Sequence, residues 1–409
     1  MRPGRALLAL AFILCLALVP GAAGAGGWTA PVALGYPGGD DWEPAIAADN
    51  AGHVYVLWKH YSVGTDCGAP CDRKETLQVS SDGGRTWSAP EVFDPLVGYD
   101  SQIEVDPLNP NIVWASYLSG FKDTVARKST DYGVTWSDPI HVENLNKYTD
   151  KDILAVRGDT VSIAYNHAQA IYASTTHDGG ATWTTVKINE QQSGQLGWSL
   201  PGGGGIDAQG RIYFAWDGYE GNGGPNGPVN LYVTRSTDGG LTWKTRPLLT
   251  AADTPDCGCA GWAFWGAQPT LVVEPGGAID VLSNANTAEG EPNRLFFQRS
   301  TDHGVTFSAP REIAPNGAMH LFPAITSGGT GDVRIAWMDN RTGAFRVYYK
   351  TSTDGGATWS RDVAISGSFA SGYGDYFELA VGAAGSTHAV WGQGPSYNGP
   401  GHIFYARSG

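Results

Sequence analysis

Short segments of alternating apolar and polar residues recur along the whole chain, and a polar turn rich in glycine follows many of them. Examples are "LYVTRSTDGG" from Leu231, "LFFQRSTDHG" from Leu295 and "VYYKTSTDGG" from Val347. Alternation with a period of two places apolar side chains on one face of a β-strand, and the turn connects that strand to the next. The pattern predicts an all-β protein, and the 57 Gly and 24 Pro residues agree with many turns.

The polar turn is a repeated phrase, written "STDGGATWS" from Ser352, and five variants of it occur elsewhere in the chain. Its Asp carboxylate can accept hydrogen bonds from backbone N–H groups, its Gly takes a positive φ, and its Trp folds back as an apolar plug. These tasks are structural, so we predict no catalytic role for the six Asp residues. They are Asp82, Asp131, Asp178, Asp238, Asp302 and Asp354.

We call this repeated turn a box. A second unit lies between the boxes and consists of a strand, a turn and another strand that often ends in Trp or Tyr. It occurs seven times, near residues 43, 101, 152, 198, 268, 322 and 377, whereas complete boxes number six. The seventh box is split: the chain stops at "IFYARSG" from Ile403, and "GGWTAPVAL" from Gly26 copies the end of a box with its outer strand.

A ring of four-stranded blades fits this count, because each blade buries its faces only against neighbours and the ring must close. We predict a β-propeller of seven blades, with six blades as the alternative. Residues 28–34 are expected to pair with residues 402–408 and so complete the last blade. Residues 26–409 form one predicted domain, since no linker or change of composition divides them.

Residues 1–25 have the pattern of a secretory signal. Arg2 and Arg5 precede the apolar run "ALLALAFILCLALV", and small residues at 23–25 offer a cleavage site. The run is short for a membrane span and no second one follows, so we expect a secreted protein without membrane insertion.

Removing this signal moves the net charge from −14 to −16, which makes nucleic acid an improbable partner. Four cysteines remain, and an exported chain usually oxidises such an even set. We predict local disulfides, Cys67 with Cys71 and Cys257 with Cys259; the other pairings and a four-thiolate metal site are the alternatives. We expect a monomer.

The motif Ser-x-Asp-x-Gly-x-Thr-Trp resembles the Asp box, or BNR repeat, of the sialidase superfamily, and residues 335–359 resemble that repeat closely. The resemblance implies a propeller, but the box also occurs in seven-bladed xyloglucan hydrolases, sortilin-type receptors and non-catalytic propellers. It is therefore much weaker as a sign of function than of fold.

Sialidases are six-bladed and clamp the sialic acid carboxylate with three arginines, one of them in an Arg-Ile-Pro motif that opens the first inner strand. A Tyr nucleophile paired with Glu and an Asp acid complete their site. The corresponding opening here reads "DDWEPAI", in which Pro44 matches, the arginine is missing and the acidic Glu43 stands directly before the proline. An anionic carboxylate would be repelled there, which argues against sialic acid as the ligand.

In a propeller, the inner strands start at the mouth of a central channel, and the loops between second and third strands open on the same face. Carboxylates interleaved with aromatic rings at this mouth suit a neutral sugar, whose hydroxyls need acceptors and whose C–H faces stack on rings. The candidate catalytic residues are Glu43, Asp100, Asp152, Asp375 and Tyr376. The candidate ligand-binding residues are Asp41, Trp42, Trp198, Trp262, Trp265 and Arg341.

Each candidate also has a structural interpretation. The Trp residues are equally explained as plugs between blades, the Asp residues as turn caps and Arg341 as an ordinary surface arginine. We predict no required cofactor and no metal at the histidines, although calcium at Asp40 and Asp41 is a further possibility. Two functions remain. One is recognition of glycans, with hydrolysis by a carboxylate pair or by Tyr376 with a carboxylate such as Glu378. The other is a non-catalytic propeller that mediates protein or cell-surface interactions.

Overall fold

The computed structural model describes residues 27–62, 73–95, 98–120, 122–144, 149–189, 198–221, 226–253, 265–396 and 399–409. These residues form seven four-stranded antiparallel sheets arranged as a seven-bladed propeller, which confirms the predicted architecture. Within these ranges, no helix has the length and apolar character needed to span a bilayer.

Six blades are continuous in sequence, with the strand nearest the channel first and the outer strand last. Blade 1 contains β2 (Asp40–Ala48), β3 (Val54–Tyr61), β4 (Arg73–Ser80) and β5 (Glu91–Asp94). Blade 2 contains β6 (Gln102–Val105), β7 (Val113–Ser119), β8 (Asp123–Ser129) and β9 (Ile140–Asn144). Blade 3 contains β10 (Thr149–Arg157), β11 (Thr160–His167), β12 (Ala170–Thr176) and β13 (Thr184–Lys187). Blade 4 contains β14 (Ser199–Ile206), β15 (Ile212–Tyr219), β16 (Val229–Ser236) and β17 (Lys244–Ala251). Blade 5 contains β18 (Gln268–Val273), β19 (Ile279–Ala285), β20 (Arg294–Ser300) and β21 (Arg311–Glu312). Blade 6 contains β22 (His320–Gly329), β23 (Asp332–Asp339), β24 (Arg346–Ser352) and β25 (Val363–Ala364).

Blade 7 is assembled from both ends of the chain. Its inner three strands are β26 (Ser371–Val381), β27 (Thr387–Gly394) and β28 (His402–Arg407), and its outer strand is β1 (Val32–Ala33). Val32 pairs with Tyr405, and Trp28 forms a further bridge to Ser408. The Trp28 ring is 3% exposed and meets the ring of Tyr349 in blade 6 at 4.7 Å between centroids. The predicted closure is therefore confirmed.

The core consists of layers between neighbouring blades, because both faces of a middle strand are covered. All eight residues of β3 are buried, including Lys59 and His60, since blades 7 and 2 pack on its two sides. The second strands also carry the largest fully buried side chains. These are Trp58, Trp114, Trp216, Trp337 and Trp391.

Each Asp box forms the turn between the third and outer strand of its blade and satisfies its own polar groups. In blade 4, Asp238 Oδ1 accepts the Thr242 N–H at 2.9 Å, and Asp238 Oδ2 accepts the Thr242 hydroxyl at 2.6 Å. These bonds lower the pKa of Asp238 to about 2. The Ser236 hydroxyl oxygen accepts the buried Gly240 N–H at 2.8 Å, so the serine, not the aspartate, satisfies the buried donor.

The glycine two residues after the Asp of every complete box also lies directly on a side chain of the preceding blade. A Cβ atom added at any of these positions would come within 3.2 Å of that side chain, so the contact requires glycine. The box therefore joins one blade to the next. The pairs are Gly84 with Tyr405, Gly133 with Tyr55, Gly180 with Trp114, Gly240 with Thr175, Gly304 with Tyr213 and Gly356 with Phe297.

Trp28→Ala should lower the free energy of unfolding by about 3–5 kcal/mol, because it empties the contact that closes the ring. Val32→Ala is the matched control, since Val32 lies in the same closing segment and is 46% exposed. Guanidinium unfolding measures both. Equal losses for the two variants would contradict a ring held shut by Trp28.

Gly356→Ala should cost about 1–3 kcal/mol more than Gly343→Ala, because its new Cβ would lie 2.3 Å from Cε1 of Phe297. Both glycines belong to blade 6 and have φ above +80°, whereas the space around Gly343 is open. Thermal unfolding of the two variants separates the blade contact from the backbone strain that they share. Equal destabilisation would show that the box glycine serves only its own turn.

Candidate functional site

The inner strands are distorted where they begin, at the predicted mouth of the channel. β-bulges interrupt β2, β10 and β22 close to their first residues. Glu43, Asp100, Lys151 and Phe322 have φ between 49° and 57°, a left-handed conformation that costs roughly 1–2 kcal/mol per residue. Such strain concentrates at functional sites, where surrounding contacts hold it.

A chain of hydrogen bonds links four blades at this mouth. Glu43 Oε2 accepts the Asp100 N–H at 2.7 Å, and Asp100 Oδ2 accepts the Lys151 N–H at 2.9 Å. The Tyr376 hydroxyl donates to Asp100 Oδ1 at 2.6 Å. The structure thus brings together three predicted catalytic residues from blades 1, 2 and 7, with Asp100 at the centre.

Beside this chain, a cavity of about 120 Å³ opens into the channel. Backbone of the glycine-rich strand β14 forms part of its wall, so "PGGGG" is an inner strand and not the loop suggested by its composition. The polar side chains that line the cavity come from blades 2, 3, 5 and 7. They are Gln102, Glu104, Lys151, Gln268, Tyr376 and Glu378.

Glu378 and Glu104 are two carboxyl groups of the channel that sequence reasoning did not place in the site as a pair. Glu378 accepts the Ile46 N–H and an N–H of the Gln102 amide, both at 2.9 Å. Burial raises the pKa of Glu378 to about 7. Enclosure in the channel and repulsion from Glu378 raise the pKa of Glu104 to about 8, while its side chain keeps access to the channel. These shifts favour the protonated forms of both groups, which can donate hydrogen bonds.

Lys151 is the cationic residue that the sequence analysis overlooked at this mouth. Its side chain is only 7% exposed, and its ammonium lies 4.7 Å from the centroid of the Tyr376 ring. Burial raises the pKa of Asp217 to about 7, and the positive charge of Lys151 opposes that rise. The signal available in the sequence was positional, because Lys151 stands two residues after the start of β10, at a bulge like that of Glu43.

Asp152 does not face the cavity. It is fully buried, its Oδ2 accepts the Ser116 hydroxyl, and burial raises its pKa well above the usual range. Glu75 is also fully buried and accepts the Ser101 hydroxyl, and burial raises its pKa to about 7 against the opposing charge of Lys59. These two carboxyl groups tie neighbouring blades together behind the mouth.

Asp41 lies at the seam between blades 1 and 7. Its carboxylate is fully buried and accepts the Trp58 indole N–H at 2.7 Å, while the rings of His60 and His402 lie at 2.8 and 3.3 Å. In the described part of the chain, no three His, Cys, Asp or Glu side chains are grouped as in a metal site. Calcium at Asp40 and Asp41 stays an expectation without structural support.

The remaining candidates occupy different surroundings. Trp42 donates its indole N–H to Asp40 at 3.0 Å and packs near Tyr99. Trp198 packs against a core cluster of blades 4 and 5, and Trp265 packs against a core cluster of blades 6 and 7. Arg341 bonds Asp339 and Asp362 within its own blade. Trp262, Cys67, Cys71, Cys257, Cys259 and the side chain of Asp375 lie outside the described residues.

Comparison with known proteins agrees with the propeller and its boxes. A family model described as a BNR repeat-like domain matches residues 22–281, and the chain belongs to this family. The expected resemblance to BNR-repeat propellers is thereby confirmed. A xyloglucanase from Paenibacillus sp is 26% identical over 307 residues, which are 67% of this chain and 27% of that protein. The chain thus spans about a quarter of that relative.

Two solved structures share the fold at low identity. One is an ulvan lyase bound to -[GlcA(1-4)Rha3S]-, with a TM-score of 0.59 and 11% identity over 91% of this chain and 95% of the other. The other is a protein of unknown function from Dyadobacter fermentans, with a TM-score of 0.52 and 15% identity over 93% and 99% of the chains. These likenesses concern the fold alone.

The Asp100–Tyr376 hydrogen bond should appear as coupling in a double-mutant cycle. Asp100→Ala and Tyr376→Phe remove the same contact, so their effects on unfolding free energy should differ from additivity by about 0.5–3 kcal/mol. Asp100→Ala combined with Tyr165→Phe is the control, because the Tyr165 hydroxyl bonds Ser174 elsewhere. Additivity of the first pair in urea unfolding would contradict a bond between Asp100 and Tyr376.

Proposed function

We propose that this protein recognises glycans through the cavity at the mouth of its central channel. The cavity supports this function because hydrogen-bonding side chains from four blades converge on it. The amide of Gln268 offers donors and an acceptor, the amide oxygen of Gln102 offers an acceptor because its N–H groups already bond Ser101 and Glu378, and the protonated forms of Glu104 and Glu378 add donors. Sugar hydroxyls need both kinds of partner, and the rings of Tyr376 and Phe322 add apolar surface.

The nature of the relatives supports the same class of ligand. Xyloglucanase and ulvan lyase, as their names state, act on carbohydrate polymers, and both share sequence or fold with this chain. We propose further that residues 1–25 direct export and that the mature protein works as a monomer outside the cell. Oxidising conditions there would favour the two expected disulfides, Cys67 with Cys71 and Cys257 with Cys259.

Glycoside hydrolysis is a second candidate, favoured by the hydrogen bond from Tyr376 to Asp100. In this mechanism the Tyr376 oxygen attacks the anomeric carbon while Asp100 takes its proton. Protonated Glu378 gives a proton to the departing sugar oxygen, and its raised pKa suits that task. Glu378 then removes a proton from the water that releases the sugar from Tyr376, and Asp100 returns its proton to the Tyr376 oxygen, so the enzyme returns to its first state.

Binding should be measured by isothermal titration calorimetry with oligosaccharides chosen from a glycan array. Gln268→Ala should weaken binding roughly 2- to 13-fold, the value of one neutral hydrogen bond. Gln209→Ala is the control, because Gln209 is exposed and lies in the hairpin turn at the far end of blade 4 from the mouth. A parent protein that binds no glycan would overturn the proposed function.

Chromogenic glycosides test the hydrolytic candidate separately. If the parent protein releases chromophore, the Tyr376→Phe variant should release none. The variant should still bind the sugar, because only the attacking oxygen is lost. A parent that binds glycans without releasing any chromophore leaves recognition as the function and removes hydrolysis. Equal turnover by the parent and Tyr376→Phe would remove Tyr376 from the mechanism.

A further inference from the structure

Among the described residues, no side chain forms an ion pair with the Lys151 ammonium. The residue is only 7% exposed, and it lines the cavity at the mouth. Its ammonium has no hydrogen-bond acceptor among these residues; its contact is the face of the Tyr376 ring at 4.7 Å, and the Asp217 carboxyl interacts with its charge without forming an ion pair. Because the nitrogen reaches the cavity and is not sealed from solvent, a ligand that fills the cavity must supply a partner for it.

Other cations of the described residues with little exposure have close partners. Arg299 bonds Glu274 at 2.8 Å and Asp280 at 2.7 Å, and Arg341 lies 2.5 Å from Asp339. Lys350 reaches the Ile313 carbonyl oxygen at 2.9 Å and lies 2.7 Å from Asp362, whereas the buried Lys59 ammonium lies over the Tyr99 ring at 3.6 Å. Lys151 resembles Lys59 in contacting a tyrosine ring, but it also lines a cavity.

The position of Lys151 is fixed in advance of any ligand. Its backbone has a φ of 49°, and its N–H donates to Asp100 Oδ2 at 2.9 Å. Asp100 in turn holds the Tyr376 hydroxyl, so the ring that faces the ammonium is held by the same carboxylate. A site that is ordered beforehand loses little entropy when a ligand binds.

We propose that Lys151 binds the anionic group of an acidic sugar, a carboxylate or a sulfate ester, that enters the cavity. This inference rests on the proposed glycan-binding function and names the class of its ligand as acidic polysaccharide. A carboxylate or sulfate oxygen would supply the acceptor that the ammonium lacks, and the Gln268 amide lines the same cavity to bond the remaining oxygens.

The acidic residues of the mouth do not forbid an anion there. Burial raises the pKa of Glu378 and of Asp217 to about 7, and enclosure in the channel with repulsion from Glu378 raises that of Glu104 to about 8. These shifts lower the negative charge of the three carboxyl groups near neutral pH, and their protonated forms donate hydrogen bonds to an anion. The earlier expectation of a neutral sugar considered the acids of the mouth without Lys151.

The first test uses the unmodified protein and pairs of ligands that differ only in charge. Oligogalacturonate is compared with its fully methyl-esterified form, and a sulfated galactan oligosaccharide with its desulfated form, by calorimetry at pH 6.5. The charged member of one pair should bind roughly 10- to 100-fold more tightly, as for a hydrogen bond to a charged group. The pair that responds distinguishes carboxylate from sulfate. Equal binding within both pairs would overturn the assignment of Lys151.

The second test uses variants of the lysine. Lys151→Met should remove the preference for the charged ligand, and Lys151→Arg should restore most of it, because the arginine keeps the charge. Lys187→Met, at an exposed lysine in the outer strand of the same blade, should behave as the parent. Circular dichroism checks that each variant is folded. If Lys151→Met does not fold, binding of the charged and uncharged ligand pairs to the parent protein still tests the inference.

The outcomes separate this inference from the proposed function. A parent that binds the esterified and acidic forms equally well recognises glycans without an anion subsite at Lys151. A folded Lys151→Met variant that keeps the parent's preference for charge would also overturn the inference. A parent that binds none of these saccharides, nor any on a broad array, would overturn glycan recognition itself.

Discussion

Contact between neighbouring blades is the constraint on which this molecule depends. A four-stranded sheet exposes two faces, and each face here is buried only by the next sheet around the ring. The Asp box secures this contact at one end of six of the seven joints, because the glycine two residues after its Asp rests on a side chain of the preceding blade. A rigid turn, satisfied by its own Asp, Ser and Thr, therefore acts as a spacer that sets how closely two blades approach.

The same ring brings the candidate site together. Seven inner strands run along one channel, so residues at their starts become neighbours although the chain separates them widely. Asp100 of blade 2 bonds Tyr376 of blade 7 past the start of β2, the inner strand that lies between β6 and β26 around the channel. The bulges turn selected side chains toward the mouth and others between the blades, which is why Lys151 lines the cavity and the adjacent Asp152 bonds Ser116.

The sequence predicts the fold well because its signals are local. The nine residues of a box are sufficient to predict its turn. The segment around Trp28 repeats the end of a box, and this repetition predicts the pairing of β1 with β28. The site is less predictable because side-chain direction depends on distant partners. Arg341 was a candidate ligand-binding residue, yet Asp362 and Asp339 hold it within its blade. The sequence shows only the position of Lys151 near a strand start, since the ring beside it belongs to Tyr376, more than 220 residues away.

The split seventh blade affects the order in which the protein folds. Val32 and Tyr405 are partners across more than 370 residues, so the last sheet cannot be completed until nearly the entire chain is present. The preceding six blades can form while synthesis continues, since each is continuous in sequence. The joining of β1 to β28 closes the longest loop in the molecule, and such long-range pairings form slowly. Until then the outer edge of β28 and the end faces of the incomplete ring are open, which makes the late stage of folding the period in which the protein is most vulnerable to aggregation.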